Sequence, residues 1–287
     1  IEKLCKIHTN VEIASEFRYR DPIVDKNTLC IYISQSGETA DTIAAMRFAK
    51  EKGQTTLAIV NVKTSTIARE STKALFIEAG EEIAVATTKA YLLQVALLSL
   101  LSLKLAYDKK LIDDITPYLD EFRVIPKLVK ETKAKDNNYK SIANEIYENN
   151  NSFFIGRKID YAYCLEGSLK LKEVSYIHSE AYASGELKHG PIALITQDTP
   201  VVAAVTQEKL MSKELSNIKE VRSRGADIVL FIKESLAKDI DRAYDTFHLP
   251  DMQDEFMVLP ASVALQLLAY YVSSDKGFDV DKPRNLA

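Results

Sequence analysis

Short apolar runs alternate with helical stretches along this chain, and the series occurs twice. Leu29-Cys30-Ile31-Tyr32-Ile33 has the length of a strand and is followed by Ser34-Gln35. A helical pattern from Asp41 to Lys52 stops at Gly53, and a second apolar run, Leu57 to Val60, comes next. The same order returns 172 positions later, so that Gln35 falls on Gln207 and Gly53 on Gly225. There, Val201 to Val205 leads into Thr206-Gln207. A helical pattern from about Lys209 to Arg224 follows, then Gly225 and the run Ile228 to Ile232. Farther on, Glu82 to Val85 and Glu255 to Val258 each precede a long apolar helix. Strands alternating with helices imply crossover connections and parallel sheets. The pattern predicts an α/β protein of two similar units, residues 1–135 and 136–287.

The second copy opens with Phe153 to Arg157 and a helix predicted from about Tyr161 to Ala181, which includes His178. Shifted back by the repeat distance, that strand falls before residue 1. The first copy is therefore expected to lack its opening strand and loop, with the chain starting inside the helix that follows. The charged segment from Lys110 to Glu148 is predicted to be helical and to connect the copies. The longest apolar stretch, Ala90 to Leu103, is interrupted by Gln94, Ser99 and Ser102. A bilayer span needs about 20 apolar residues, so this stretch is predicted to be a buried core helix, with no membrane partner.

Composition narrows the function classes. The 287 residues are 46% apolar and 27% charged, with a net charge of −4 and mixed signs along the chain. A nucleic-acid binder would carry a basic stripe, and none is present. A small phosphate-bearing ligand remains possible, because a helix N-terminus binds an anion without net positive charge. The three cysteines, Cys5, Cys30 and Cys164, have neither metal nor disulfide spacing. They point to a reducing, cytoplasmic setting.

Two places carry candidate chemistry. The loop Ser34-Gln35-Ser36-Gly37-Glu38-Thr39 lies between a predicted parallel strand and a helix, where ligands of open α/β sheets bind. Its three hydroxyls and one glycine make a neutral, donor-rich anion site. One such hydroxyl would also serve as an ordinary helix cap. The repeat separates the two readings. Ser36 corresponds to Glu208, an acid that would repel phosphate, so one phosphate site is expected, in the first copy. The second place is the helix bearing Glu166, Lys170 and Glu173, which share one face by their spacing. They form either a solvated salt-bridge stripe or a carboxylate base beside a lysine. Downstream, His189 sits between Gly185 and Pro191 on a predicted loop, free to titrate. Moving a carbonyl between adjacent carbons of a sugar phosphate needs such a base, a ring-opening group and a phosphate anchor.

These residues resemble the sugar isomerase (SIS) domains. The strings Leu165 to Glu173, Gly185 to Pro191 and Asp281 to Ala287 are similar to the isomerase part of the glucosamine-6-phosphate synthase family, over essentially the whole chain. The resemblance implies two three-layer α/β/α, flavodoxin-like domains that convert fructose 6-phosphate and ammonia to glucosamine 6-phosphate, with no cofactor and no metal. It implies that Glu173 moves the proton and that Lys170 and Glu166 line the site. It implies that His189 opens the sugar ring in the neighbouring subunit of a homodimer. Ser34, Gln35, Ser36 and Thr39 would bind phosphate. Val85, Ala86, Thr87 and Ala287 would contact the sugar, Thr87 standing where a serine is common. A family loop with a further phosphate-binding serine, a Schiff-base lysine after the tail and a glutaminase domain that supplies ammonia lie outside residues 1–287. The chain as written is therefore expected to be weak or inactive alone. A hexosamine-phosphate deaminase-isomerase and a non-catalytic sugar-phosphate sensor are the alternatives, and the pairing of Glu173 with His189 argues against the sensor.

Overall fold

A computed structural model of the protein describes residues 1–25, 27–241 and 244–285. The chain forms two compact units. One comprises residues 1–83 and 87–116, the other residues 84–86 and 117–287.

The first unit runs α1 (Glu2–Cys5), α2 (Ala14–Phe17), β1 (Leu29–Ser34), α3 (Ala40–Glu51), β2 (Thr55–Val60), α4 (Thr66–Glu70), β3 (Lys73–Phe76) and α5 (Lys89–Asp108). The strands form a parallel sheet in the order β1-β2-β3. Alternation along the strands divides the apolar side chains between two faces. Tyr32, Ala58 and Val60 pack with Ala45, Met46 and Ala49 of α3. Ile59, with Ile31 and Leu75, packs with Ala90, Leu97 and Leu98 of α5. Helix α3 ends where Gly53 takes a φ of 79°, a left-handed conformation that suits glycine.

The second unit begins with α6 (Thr116–Lys133), α7 (Asp136–Ile146), β4 (Asn151–Gly156), α8 (Ile159–Ser175) and β5 (His178–Ala183). It continues with β6 (Pro200–Val205), α9 (Met211–Arg222), β7 (Asp227–Lys233), β8 (Asp245–Leu249) and α10 (Val258–Asp275). Its parallel sheet has the order β5-β4-β6-β7-β8. The run β6-β7-β8 repeats β1-β2-β3, and the sequence repeat is thus a repeat of topology. Ile155, Ala203, Val205, Leu230 and Ile232 face Ile218 and Val221 of α9. On the other face, Phe231 stacks on Phe247 at 5.0 Å, and Tyr139 of α7 lies 4.6 Å from Phe247. Helices α8 and α10 meet above Phe154, at Gly167.

Four sequence expectations change. Helix α6 was assigned to the first copy but belongs with the second unit, where Phe122 lies 4.7 Å from Phe256 and Glu121 accepts from the Gln253 amide. The helix drawn to Ala181 ends at Ser175, because Tyr176 turns left-handed (φ 61°). His178 then opens strand β5, which pairs with β4. His189 lies not on an open loop but at the end of a 3-10 segment, Ser184–His189. The apolar stretch is a longer helix, α5, of 20 residues, long and apolar enough to cross a membrane by length and composition. It is a core helix on one face only: Ala90, Ser102, Leu103 and Ala106 are buried, while much of the remaining apolar surface is half-buried or exposed. Its counterpart α10 buries twelve residues against α8 and its surroundings, whereas the four-residue α1 is the helix that packs on α5.

Two predictions follow from this packing. A Cβ on Gly167 would lie 2.6 Å from Leu265 Cδ1 and 2.9 Å from Leu265 Cβ. Overpacking of this kind costs roughly 1–3 kcal/mol and outweighs the better helix propensity of alanine, about 1 kcal/mol. Gly167→Ala is expected to lower stability in urea denaturation, and a gain would refute the close crossing. Burial, with Asp245 and Asp227 alongside, pushes the Glu145 carboxyl from 4.5 up to about 7. The native state then holds a proton that the unfolded chain has released, so stability falls as pH rises between those values. Glu145→Gln removes that loss. It should melt higher than the parent at about pH 8 and level with it at about pH 4. Equal gains at both pH values would refute the assignment.

Candidate active site

Strand β1 ends at Ser34, and the chain passes through Gln35 to Thr39 before α3 begins. Ser34 is buried; its Oγ accepts from the Gly37 amide (3.0 Å) and lies 3.0 Å from Thr39 Oγ1. Ser36 Oγ accepts from the Glu38 amide at 3.2 Å. The Gln35 carbonyl takes the Asn61 amide, and the Gly37 carbonyl takes the Ile67 amide, each at 3.0 Å. Gly37 has a φ of 70°, and a Cβ there would lie 2.1 Å from Ser65 Oγ, so the turn admits only glycine. Thr39 precedes α3 and makes no side-chain cap bond to it. The ordinary capping role is therefore not what these hydroxyls perform; they brace the loop while the start of α3 has no side-chain cap. Glu38 is an acid in a loop read as an anion site. Its carboxylate accepts from the Thr66 amide at 2.7 Å, which holds its pKa below the usual carboxylate value.

In the second unit, α8 brings Glu166, Lys170 and Glu173 into one row. Lys170 Nζ lies 2.5 Å from Glu173 Oε2, with side-chain exposures of 7% and 22%. Gln266 of α10 donates to Glu166 Oε1 at 3.0 Å. Burial pushes the Glu166 carboxyl up, against the pull of Lys170 and the Gln266 amide, and the Glu173 charge adds to the rise. This is not a solvated stripe. Exposed pairs are worth little, but buried charges persist only when paired. Here the Lys170 ammonium pairs with Glu173 and its charge also acts on the buried Glu166, and Glu173 is the carboxylate with the greater access to solvent.

The C-terminal end of α8 organises the chain around it. Tyr176 lies under Phe278 (4.9 Å between rings), and the Arg284 guanidinium sits 4.1 Å over the Tyr176 ring. The Arg284 amide donates to Tyr176 Oη at 2.7 Å. Val85 joins the same unit through its amide, which donates to the Asp281 carbonyl at 3.2 Å. Val85 and Ala86 thus belong with the second unit, whereas Thr87 falls in the first. Ala287 lies outside the described residues. His189 is 73% exposed, and its Nε2 lies 3.9 Å from Glu186 Oε2. Among the described residues, no group of three or more His, Cys, Asp or Glu could hold a metal ion.

Sequence reasoning overlooked Gln266, Tyr176 and Arg284. A signal existed for the first: Gln94 and Gln266 stand 172 apart, each a single amide inside an apolar helix. Tyr176 and Arg284 meet only through the fold: Arg284 lies in the string Asp281 to Ala287 that carries the resemblance, but nothing local pairs it with Tyr176.

A family model described as the SIS domain matches residues 1–104 and 145–273. An isomerizing glutamine–fructose-6-phosphate aminotransferase of Clostridium tetani is 50% identical over the whole chain, and that of Thermus thermophilus is 42% identical. The chain spans about half the length of these curated relatives, 48% of each. Among solved structures, the C-terminal domain of glucosamine-fructose-6-phosphate aminotransferase from Francisella tularensis superposes with a TM-score of 0.94 at 40% identity, covering 99% of this chain and 80% of that one. A glucosamine-6-phosphate deaminase from Thermotoga maritima shares the fold, with a TM-score of 0.77 at 24% identity. With its two parallel α/β units and the matched residues spread over both, the chain belongs to the SIS domain family.

Proposed function

We propose that this chain is the isomerase part of an enzyme that makes glucosamine 6-phosphate from fructose 6-phosphate and ammonia. The observation that carries the proposal is the row Glu166–Lys170–Glu173, buried at its first two members and open at the third, in a chain 50% identical to an isomerizing aminotransferase. Glu173 accepts a proton from one sugar carbon and returns it to the neighbouring carbon. Lys170 holds that carboxylate in place, a arrangement suited to general base catalysis. Ser34, Gln35, Ser36 and Thr39 hold the phosphate, while Val85, Ala86, Thr87, Glu166 and Ala287 contact the sugar. His189 opens the ring and is shared across a homodimer. Ammonia comes from glutamine through the glutaminase domain of the full-length protein. The three free cysteines fit a cytoplasmic enzyme.

Two variants of the full-length protein test this reading. Glu173→Gln should bind the sugar phosphate with near-parental affinity in calorimetry and isomerise it about 100-fold to 10,000-fold more slowly. An unchanged rate sinks the base assignment. Ser36→Glu puts into the first loop the acid that stands at position 208 in the second. It should weaken sugar-phosphate binding by about 100-fold or more, since like charges brought together cost several kcal/mol. Unchanged affinity would remove the phosphate from this loop.

A further inference from the structure

Strands β4 and β6 end side by side in the second unit, and the loop after β6 is the repeat counterpart of the Ser34–Thr39 loop. Thr206 stands where Ser34 stands in the first copy. Here the donors are consumed internally. The buried Asp160 carboxylate accepts from the Thr206 amide (3.0 Å), the Thr206 hydroxyl and the Tyr163 hydroxyl (3.0 Å). The Gln207 amide donates to the Arg157 carbonyl at 2.7 Å. A carboxylate of the chain itself thus occupies the donors of this loop.

Beside this closed loop lies a buried polar pair that the proposed reaction does not use. Glu214, on the first turn of α9, has a side chain only 2% exposed. Its Oε1 accepts from the Ser184 hydroxyl at 2.5 Å, and its Oε2 lies 3.5 Å from Arg157 Nε. Arg157 Nη2 donates to Asn217 Oδ1 at 2.6 Å. Gly185 rests against the same guanidinium, where a Cβ would lie 3.3 Å from Nη2. Lys188 pairs with Glu220, farther along α9, at 3.0 Å. Ser184, Gly185 and Lys188 are all members of the 3-10 segment that ends in His189. The His189 ring itself is exposed. Its position is therefore set by the backbone of this segment, and that backbone is held from α9 and from the end of β4.

Burying a carboxylate costs several kcal/mol unless partners repay it. Burial pushes the Glu214 carboxyl up to about 7, with the Ser184 hydroxyl and Arg157 opposing the rise and Asp160 adding to it. A leucine at position 214 would fill the same space without that cost. It would also leave the Ser184 hydroxyl without its acceptor and the Arg157 guanidinium without its counter-charge. What the carboxylate supplies, and leucine cannot, is a fixed attachment for the segment.

We propose that Glu214 and Arg157 are positioning residues that lock the Ser184–His189 segment onto α9 and so fix where His189 can reach. The proposal rests on the ring-opening reading of His189 given above. It is tested in the full-length protein by hydrogen–deuterium exchange over residues 184–190, together with steady-state isomerisation of fructose 6-phosphate. Ser184→Ala removes only the hydroxyl donor. It should speed exchange across the segment by about tenfold or more and lower kcat by about tenfold, with KM within about threefold of the parent. Glu214→Leu should do the same or more. Glu214→Gln still accepts from the Ser184 hydroxyl and should recover most of both losses. Unchanged exchange in both Ser184→Ala and Glu214→Leu overturns the lock. Faster exchange with an unchanged kcat overturns the positioning role. His189→Ala at the full rate would overturn the reading of His189, and the proposal with it, whatever the exchange shows.

Discussion

Helix α8 carries charges that most helices would turn to water, and it can bury them because α10 crosses it at Gly167. With no side chain at that position, Leu265 of α10 and Phe154 of β4 close directly on the α8 backbone. Ser273 of α10 adds a hydrogen bond to the Val174 carbonyl at 2.8 Å, farther along the crossing. The Glu166 carboxylate then meets Gln266 across the same contact. A wider crossing would let water reach Glu166 and Lys170 and would screen their mutual field. The helix–helix distance is therefore an electrostatic parameter as much as a packing one.

The two copies of the α/β unit put equivalent loops to opposite uses. After β1, hydroxyls and a glycine brace the turn, and the acid Glu38 is drawn away to the Thr66 amide. After β6, the donors are satisfied by Asp160, a carboxylate on the first turn of α8. Both solutions obey one constraint: amides at the end of a parallel strand and the start of a helix favour a nearby negative charge. One loop answers it with a residue of the chain, which fixes that end of the fold. The other braces its turn with hydroxyls and leaves the start of the helix without a side-chain cap, as the phosphate site proposed above would require.

Much of this was legible in the sequence, because strand runs and helix stops are local. Leu29 to Ile33 and Val201 to Val205 announce strands, Gly53 and Gly225 end helices, and their common offset reveals the repeat. The end of α8 was not legible. Tyr176 adopts a left-handed φ without being glycine or asparagine, because Phe278 and Arg284 pack around its ring. The difference between α5 and α10 was hidden for a similar reason. Both read as apolar helices, but burial depends on the neighbour, and α8 is a far longer neighbour than α1. Likewise, the row Glu166, Lys170 and Glu173 was visible as a row, whereas its burial required knowledge of α10.

That burial also decides how the two carboxylates of α8 divide their work. The charge of Lys170 acts on both, but its direct contact is with Glu173, at 2.5 Å. Glu166 is more deeply placed, its Oε1 is tied to Gln266, and burial raises its pKa because the charged form is costly to hold there. Glu173 keeps 22% of its side chain open and sits one turn from the end of the helix, beside Tyr176. A base must reach its proton, and a buried carboxylate bonded to a neighbouring helix is badly placed to do so. The geometry thus separates the pair: Glu173 keeps the access to solvent that the base role proposed above requires, and Glu166 is held inside by α10.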